Sequence, residues 1–473
     1  MLVYNTLRNR KEEFVPINPP NVTMYVCGPT IYDYFHIGNG RTFVMSDIIR
    51  RYLIYKGYNV KFVMNLTDVD DKIIRKAVQE GVSTKELTLR YEKAFMDDIK
   101  IFKMKPADLY PKATEHMQEI EDLIEKLENK GIAYNVDGNI FYDVGKFKGY
   151  GKLSGKKTDE LEIGSRVDIN EEKRNPLDFS VWKKSKEGEP FWESKWGNGR
   201  PGWHIECSAM SMKHLGETID IHAGGNDLIF PHHENEIAQS EAATGKDFAH
   251  YWMHFGFLNI DKQKMSKSLS NFFTARDILT QYPAEALRLL FVQSHYRSPL
   301  NFSKELIESA KKGTEKLNNL SMLILKGIEN KNGNIIEYNF QKYFNLFSEA
   351  MDDDFNTSQA TGVIFDFIRD INRIISENEN INFSFYEDAF NFLNSTANNV
   401  LGIIDFDELR TVEKDEDDAW IVEQIEARTK AKLDKNWQLA DEIRDVLSDK
   451  GIILEDSKNG TTYKKKLIWI KLW

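Results

Sequence analysis

Two apolar runs separated by a helical stretch decide most of what this chain can become. NVTMYVC, at residues 21–27, reads as a buried strand and ends in a turn at Gly28-Pro29. RTFVMSDIIRRYLIYKG, from about Arg41 to Gly57, has a helical pattern, and NVKFVMN, from Asn59, reads as a second strand. Thr67 or Asp68 is placed to cap the helix that follows. Strand, helix, strand, helix at this spacing specifies a parallel α/β unit, because strands running the same way need a crossover of a dozen or more residues.

Beyond this unit, charged helical segments fill roughly residues 84–130, and IAYNVDGNIFYDV is a hairpin turning at Asp137-Gly138. Residues 145–200 are rich in Lys, Glu and Gly with little periodicity, as expected of an insertion carrying exposed loops. ETIDIHAGG then supplies a strand and PHHENEIAQSEAATG a helix, so the sheet resumes after the insertion. From residue 302 the pattern is mainly helical, and the acidic EKDEDD (413–418) leads to a last module of two helices and a hairpin. A length of 473 residues suits about two to four domains. The net charge of −11 counts against a broad nucleic-acid footprint, although RTKAKLDKNW (428–437) and KKKLIWIKLW (464–473) are basic runs. The N-terminal residues lack the apolar core of a signal peptide, and no apolar run is long enough to span a membrane, so a cytoplasmic location is expected.

In a reducing compartment the chain's two cysteines, Cys27 and Cys207, are free, buried or metal-bound. In FPHHENEIAQS, His232 and Glu236 lie at i and i+4 on one helix face, and His233 and Glu236 at i and i+3 form an alternative pair. Either pair joined to two thiolates would complete a tetrahedral zinc shell. The competing reading is a solvated polar helix face with two cysteines in the core.

Two further stretches suit phosphate. FHIGNGRT (35–42) opens a helix, whose free N–H groups and partial positive charge favour anions, with His36 beside Gly38. KMSKS (264–268) places Lys264 and Lys267 around Ser266 in a loop, and lysine's flexible point charge suits a triphosphate.

HIGN and KMSKS resemble the paired signatures of the class I aminoacyl-tRNA synthetases, with Asn39 where the second histidine is usual. YVCGPTIYDYFHIGNGRTF, NLTDVDDKI, RPGWHIECSAM, IHAGGNDLIFPHHENEIAQSEA, KMSKSLSNF, DDDFNTSQA and ADEIRDVLSDKGIILED together are similar, over the whole chain, to the cysteinyl-tRNA synthetase family. The resemblance implies zinc, one per chain, on Cys27, Cys207, His232 and Glu236. It implies ATP contacts at His36, Gly38, Asn39, Lys264, Ser266 and Lys267, with His36, Asn39, Lys264 and Lys267 catalytic, and amino-acid contacts at Thr67, Trp203 and Asp227. His204 and His222 could also line the site. The implied reaction activates L-cysteine with ATP and Mg²⁺, releases pyrophosphate, and transfers the cysteinyl group to the terminal adenosine of tRNA(Cys), in a monomer with no membrane partner.

The implied architecture is an α/β Rossmann-like parallel-sheet catalytic domain with an insertion, followed by an α-helical bundle and a small C-terminal α+β module. The expected divisions are 1–130 for the first catalytic half, 131–200 for the connective insertion, 201–245 for the second half with the zinc site, 246–303 for the KMSKS region, 304–410 for a tRNA-binding helical bundle and 411–473 for an anticodon-recognition module. A cysteine-activating ligase acting on an amino sugar is the alternative, and it would not need the roughly 170 residues that follow. A zinc hydrolase would need a general base, for which Glu234 is the nearest candidate, and would leave KMSKS unexplained.

Overall fold

The computed structural model describes the chain outside residues 157–171, 261–262, 265–272, 413–416, 458–459 and 466–473. It divides into two compact units, Met1–Ile404 and Asp405–Trp473.

The heart of the first unit is a four-stranded parallel sheet in the order Ala249–Phe255, Ile219–Gly225, Asn21–Val26, Asn59–Met64. Chain progression starts at Asn21–Val26, steps outward on one side through the helix Ile37–Tyr55, then resumes beside the starting strand and steps outward on the other side through the helix Glu234–Thr244. The reversal lies between Asn21–Val26 and Ile219–Gly225. Open α/β sheets form a crevice at such a point, outside the carboxyl ends of the strands.

The helix Ile37–Tyr55 begins four residues before the position its apolar pattern suggests, because His36 caps it: Nδ1 of the ring accepts the Asn39 amide at 3.3 Å. Its apolar side chains Phe43, Val44, Ile48, Ile49, Tyr52 and Leu53 are fully buried, and so are Arg41 and Asp47. Asp47 pairs with Arg51 at 2.8 Å and Arg288 at 3.1 Å, so these buried charges have partners. The next helix, Asp71–Glu80, is capped by Asp70, whose carboxylate accepts the Lys72 amide at 2.7 Å, and not by Thr67 or Asp68. The Thr67 amide and carbonyl are instead committed to Pro29 and Ile31, and the Asp68 carboxylate to Thr114.

The insertion is more ordered than its composition suggests. The hairpin Ala133–Val136/Asn139–Tyr142 turns at Asp137 and Gly138, both with positive φ (50° and 90°), as a two-residue hairpin turn requires. Phe179–Lys184 and Gly199–Pro201 extend it into a four-stranded antiparallel sheet, around a core that includes Tyr142, Val181 and Trp182.

The helices Lys304–Ile328, Gln341–Asp352, Thr357–Glu377 and Phe383–Leu393 pack through Leu317, Phe347, Ile364, Phe367 and Phe392 within the same unit. The sequence DDDF at 352–355 fastens them. Asp354, fully buried, accepts hydrogen bonds from the Tyr4 amide (2.8 Å), the Tyr296 hydroxyl (2.7 Å) and the Arg297 guanidinium (2.7 and 2.8 Å). Removing one member of such a network strands the others. Asp354→Ala is expected to lower the unfolding free energy by roughly 3 kcal/mol, read as an earlier urea midpoint. An unchanged midpoint would show that this junction is not a stabilising one.

The second unit, taken by itself, comprises Phe406–Val412, Asp417–Leu433, Trp437–Asp449 and the hairpin Ile452–Ser457/Gly460–Lys465, around Ile421, Ile443, Leu447 and Ile452. Arg428, the first residue of the basic run there, is buried, whereas Trp437 and Arg444 are exposed.

Candidate functional site

Four side chains able to ligate a metal converge at the carboxyl end of the sheet. Cys27 follows the strand Asn21–Val26, Cys207 lies in the helix Trp203–Leu215, and His232 and Glu236 come from the turn and helix after Ile219–Gly225. One ligand atom from each lies within 4.8 Å of the others, and all four residues are buried. His232 Nε2 is 3.0 Å and Cys27 Sγ 3.5 Å from Glu236 Oε1. The i, i+4 pair survives a local irregularity. Phe230 is extended (φ −138°, ψ 132°), so regular α-helix runs only from Glu234 to Thr244, but His233 already has helical angles. A second, overlapping set consists of Cys27, Glu236, His222 and His233.

The backbone approaches closely to place Cys27. At Gly28 the amide donates to the Asn65 side chain at 2.9 Å, and a Cβ there would sit 1.8 Å from the Asn65 carbonyl oxygen. Glycine is therefore obligatory immediately after the first thiol. Gly224 serves the neighbouring strand similarly, since a Cβ would lie 2.8 Å from the His233 ring.

Charge in the cluster is distributed by burial and by hydrogen bonds. The hydrogen bond from Cys27, assisted by His232, brings the Cys207 thiol down to about 6 against the effect of burial. Cys27 is pushed well up by burial and by Cys207, the direction expected when two adjacent buried thiols titrate as a pair. Burial alone would lower His232 and raise Glu236. Glu236 and Cys207 instead lift His232 to about 10, while His222 and His232 hold Glu236 well below the usual carboxylate range. Without a metal the His232 imidazolium balances the thiolate and carboxylate; a cation that displaces its proton would meet a thiolate, a carboxylate and an imidazole at one buried point, the ligand chemistry of zinc.

Around these donors stand groups that sequence reasoning only partly named. His222 Nε2 lies 2.8 Å from Glu236 Oε2, and its ring stacks on Trp252 at 4.4 Å. His204 Nδ1 lies 2.8 Å from His232 Nδ1. His233 stands 3.3 Å from the Cys27 sulfur and 2.8 Å from His254, which in turn reaches Thr6 at 2.8 Å. Burial pushes His204 and His233 well down and His254 to about 3, so these rings stay neutral. His254 and Thr6 carry no local signal, since His254 joins the site through the pairing of Ala249–Phe255 with Ile219–Gly225 and Thr6 through the bond of its amide to the Trp252 carbonyl.

Of the expected amino-acid contacts, Trp203 is partly exposed and stacks on His232 at 4.1 Å. Thr67 is buried beside the turn that follows Cys27, with Asn65 donating to its hydroxyl at 3.2 Å. Asp227 is exposed beyond the end of Ile219–Gly225. Glu234 spends both oxygens on backbone amides of the insertion, at Gly151 (2.9 Å), Leu153 (3.4 Å) and Ser154 (2.8 Å). It is a structural acceptor, so a hydrolase reading loses its base.

His36, Gly38 and Asn39 are partly exposed at the start of the helix Ile37–Tyr55. Because His36 Nδ1 accepts the Asn39 amide, the ring proton sits on Nε2, where it can be donated. The backbone of Lys264 pairs with Asn259 in a hairpin, while its side chain, Ser266 and Lys267 lie outside the described residues. No described helix is long and apolar enough to cross a membrane.

Residues 13–312 match the family model described as tRNA synthetases class I (C) catalytic domain, and residues 346–405 match the DALR domain. Among solved structures, the chain is similar to Mycobacterium tuberculosis methionyl-tRNA synthetase in complex with methionyl-adenylate, at 16% identity over 80% of this chain and 89% of that one, with a TM-score of 0.61. It is also similar to the Agrobacterium radiobacter K84 agnB2 LeuRS in a ternary complex with tRNA and LeuAMS, at 11% identity over 85% and 86%, again with a TM-score of 0.61. At these identities the likeness is one of fold.

Proposed function

From the premise that this chain belongs to the class I tRNA synthetase family, we propose that it is a cysteine–tRNA ligase whose amino acid is selected by a zinc ion. The observation that carries the choice of amino acid is the buried convergence of Cys27, Cys207, His232 and Glu236 at the switch point of the sheet. Held by these four residues, zinc would supply a Lewis acid that favours a thiolate, which cysteine can offer and serine's poorly ionising hydroxyl cannot. A pocket relying on size alone separates such close analogues by only about 1–3 kcal/mol.

The chain's own residues have separable tasks. Trp203 covers His232 and closes one side of the cluster. Thr67 and Asp227 are positioned, on this reading, for the amino acid's remaining groups. The cysteine carboxylate attacks the α-phosphorus of ATP, which is accompanied by Mg²⁺, giving cysteinyl-adenylate and pyrophosphate. His36 donates through Nε2–H, and Asn39 adds a neutral donor in the same turn. Lys264 and Lys267, with Ser266, neutralise the departing pyrophosphate. The cysteinyl group then passes to a hydroxyl of the terminal adenosine of tRNA(Cys), forming the ester and releasing AMP. The DALR match at 346–405 supports a tRNA acceptor over an amino sugar.

Aminoacylation of a tRNA mixture with labelled cysteine and labelled serine tests the reading. Charging with cysteine alone is expected, and charging with serine at a comparable rate would overturn zinc selection. A narrower prediction concerns the asparagine. Asn39→Ala should slow adenylate formation about 10- to 100-fold with the KM for cysteine little changed, as expected when one transition-state donor is lost. Single-turnover formation of the adenylate measures this, and an unchanged rate would reduce Asn39 to a helix-turn residue.

A further inference from the structure

Arg41 lies one helical turn beyond His36, in the helix Ile37–Tyr55, and is 1% exposed. Among the described residues no carboxylate pairs with it. Its guanidinium is held by four backbone carbonyls: Nη1 donates to Gly256 (2.8 Å) and Phe257 (3.2 Å), and Nη2 to His295 (3.0 Å) and Ser298 (2.8 Å). Burial brings it down to about 10, which leaves it charged at neutral pH.

The four carbonyls have a common meaning. Gly256 and Phe257 lead directly into the strand Leu258–Ile260, which pairs with Gln263–Lys264, where KMSKS begins. His295 and Ser298 precede Leu300–Phe302, the strand that pairs with Leu258–Ile260 on its other edge. The two connections cross so closely that a Cβ at Gly256 would lie 2.4 Å from the Ser298 carbonyl oxygen. Past KMSKS the chain returns to the same helix: the Ile37 amide donates to the Phe273 carbonyl (3.2 Å), and the Ala275 amide to the Phe35 carbonyl (3.0 Å). The segment carrying the second phosphate motif is thus tied at both ends to the helix that carries the first. Among the described residues, backbone bonds make one tie and the Arg41 side chain makes the other.

We propose that Arg41 is a positioning residue for ATP activation, setting the spacing between the His36–Asn39 turn and the hairpin that bears Lys264. The inference rests on the activation reading above. Only guanidinium, with donors on a planar fork, reaches both connections at once; lysine's single ammonium carries the same charge but cannot span them. An error of about 1 Å in the placement of reacting groups is enough to cost on the order of 100-fold in rate.

The test is cysteine-dependent ATP–pyrophosphate exchange by the full-length, metal-loaded protein, its Arg41→Lys variant and its Arg41→Ala variant with and without millimolar guanidinium. Arg41→Lys is expected to lower kcat about 10- to 100-fold and to raise the KM for ATP, while metal content and the KM for cysteine stay within about twofold of wild type. Guanidinium is expected to restore part of the Arg41→Ala activity. Unchanged exchange by Arg41→Lys, beside an active wild type, overturns the inference alone. So does a loss in which metal content and cysteine affinity fall together with kcat, since that marks general unfolding. A wild type with no cysteine-dependent exchange overturns the activation reading itself.

Discussion

Cys207→Ser is expected to leave the protein folded, with little bound metal and almost no cysteine-dependent ATP–pyrophosphate exchange. Cys207 is the thiol that the cluster holds down at about 6, so it is the donor best prepared to bind as thiolate. Serine in its place keeps the shape and removes that charge. Loss of a residue that merely orients a metal ligand typically costs 10–100-fold in affinity or activity, so loss of a ligand should cost at least about 100-fold. Elemental analysis of the purified variant and the exchange assay should fall together. A metal-free Cys207→Ser protein that activates cysteine at the wild-type rate would end the zinc-selection reading.

The second large effect is expected from removing the C-terminal unit. A protein ending at Ile404 keeps the parallel sheet, the metal donors and Asp354 with all its partners, because these lie within the first compact unit. It should retain cysteine-dependent exchange to within about twofold while losing most charging of tRNA. Arg428 is buried and so unavailable to RNA, but Trp437 and Arg444 are exposed and offer a stacking plane each. Losing two such contacts at about 1–3 kcal/mol each corresponds to a drop in charging efficiency of at least about 30-fold. Charging at the full-length rate by the shortened, folded protein would show that residues 405–473 serve another purpose.

The sequence carries the parallel unit and the donor pair for different reasons. Apolar runs at 21–27 and 59–64 joined by a helical stretch fit neighbouring strands of a parallel sheet, and His232 and Glu236, four residues apart, come to one side even though the regular helix begins at Glu234. What it carries poorly is anything that depends on distant pairing. His254 lies in a mostly apolar run and reads as core until Ala249–Phe255 is seen beside Ile219–Gly225. Arg41 reads as one more basic residue in a helix, because its four acceptors are backbone carbonyls more than 200 positions away, and carbonyls have no sequence signature. The helix starts four residues before its apolar pattern indicates because its cap is a histidine, a less usual capping residue than Ser, Thr, Asp or Asn. Within the insertion the strand Phe179–Lys184 carries little signal because it is short and its partner strand lies across a long charged stretch.

The hydrogen bond from the Tyr4 amide to Asp354 also has a temporal meaning, because the bond spans 350 positions. The first strand, Leu2–Asn5, is likewise tied to the His250 carbonyl through Asn5, and the following Thr6 amide to that of Trp252. A growing chain emerges from the ribosome at about 5–20 residues per second, so this segment waits roughly 20–70 s between its own synthesis and the arrival of its last partner. Over that interval Leu2–Asn5 can pair locally with Arg10–Glu13, which occupies one edge of an otherwise exposed strand. The short hairpin at the start of the chain thus pairs one edge of that strand early and permanently, and leaves only the remaining groups to await their distant partners.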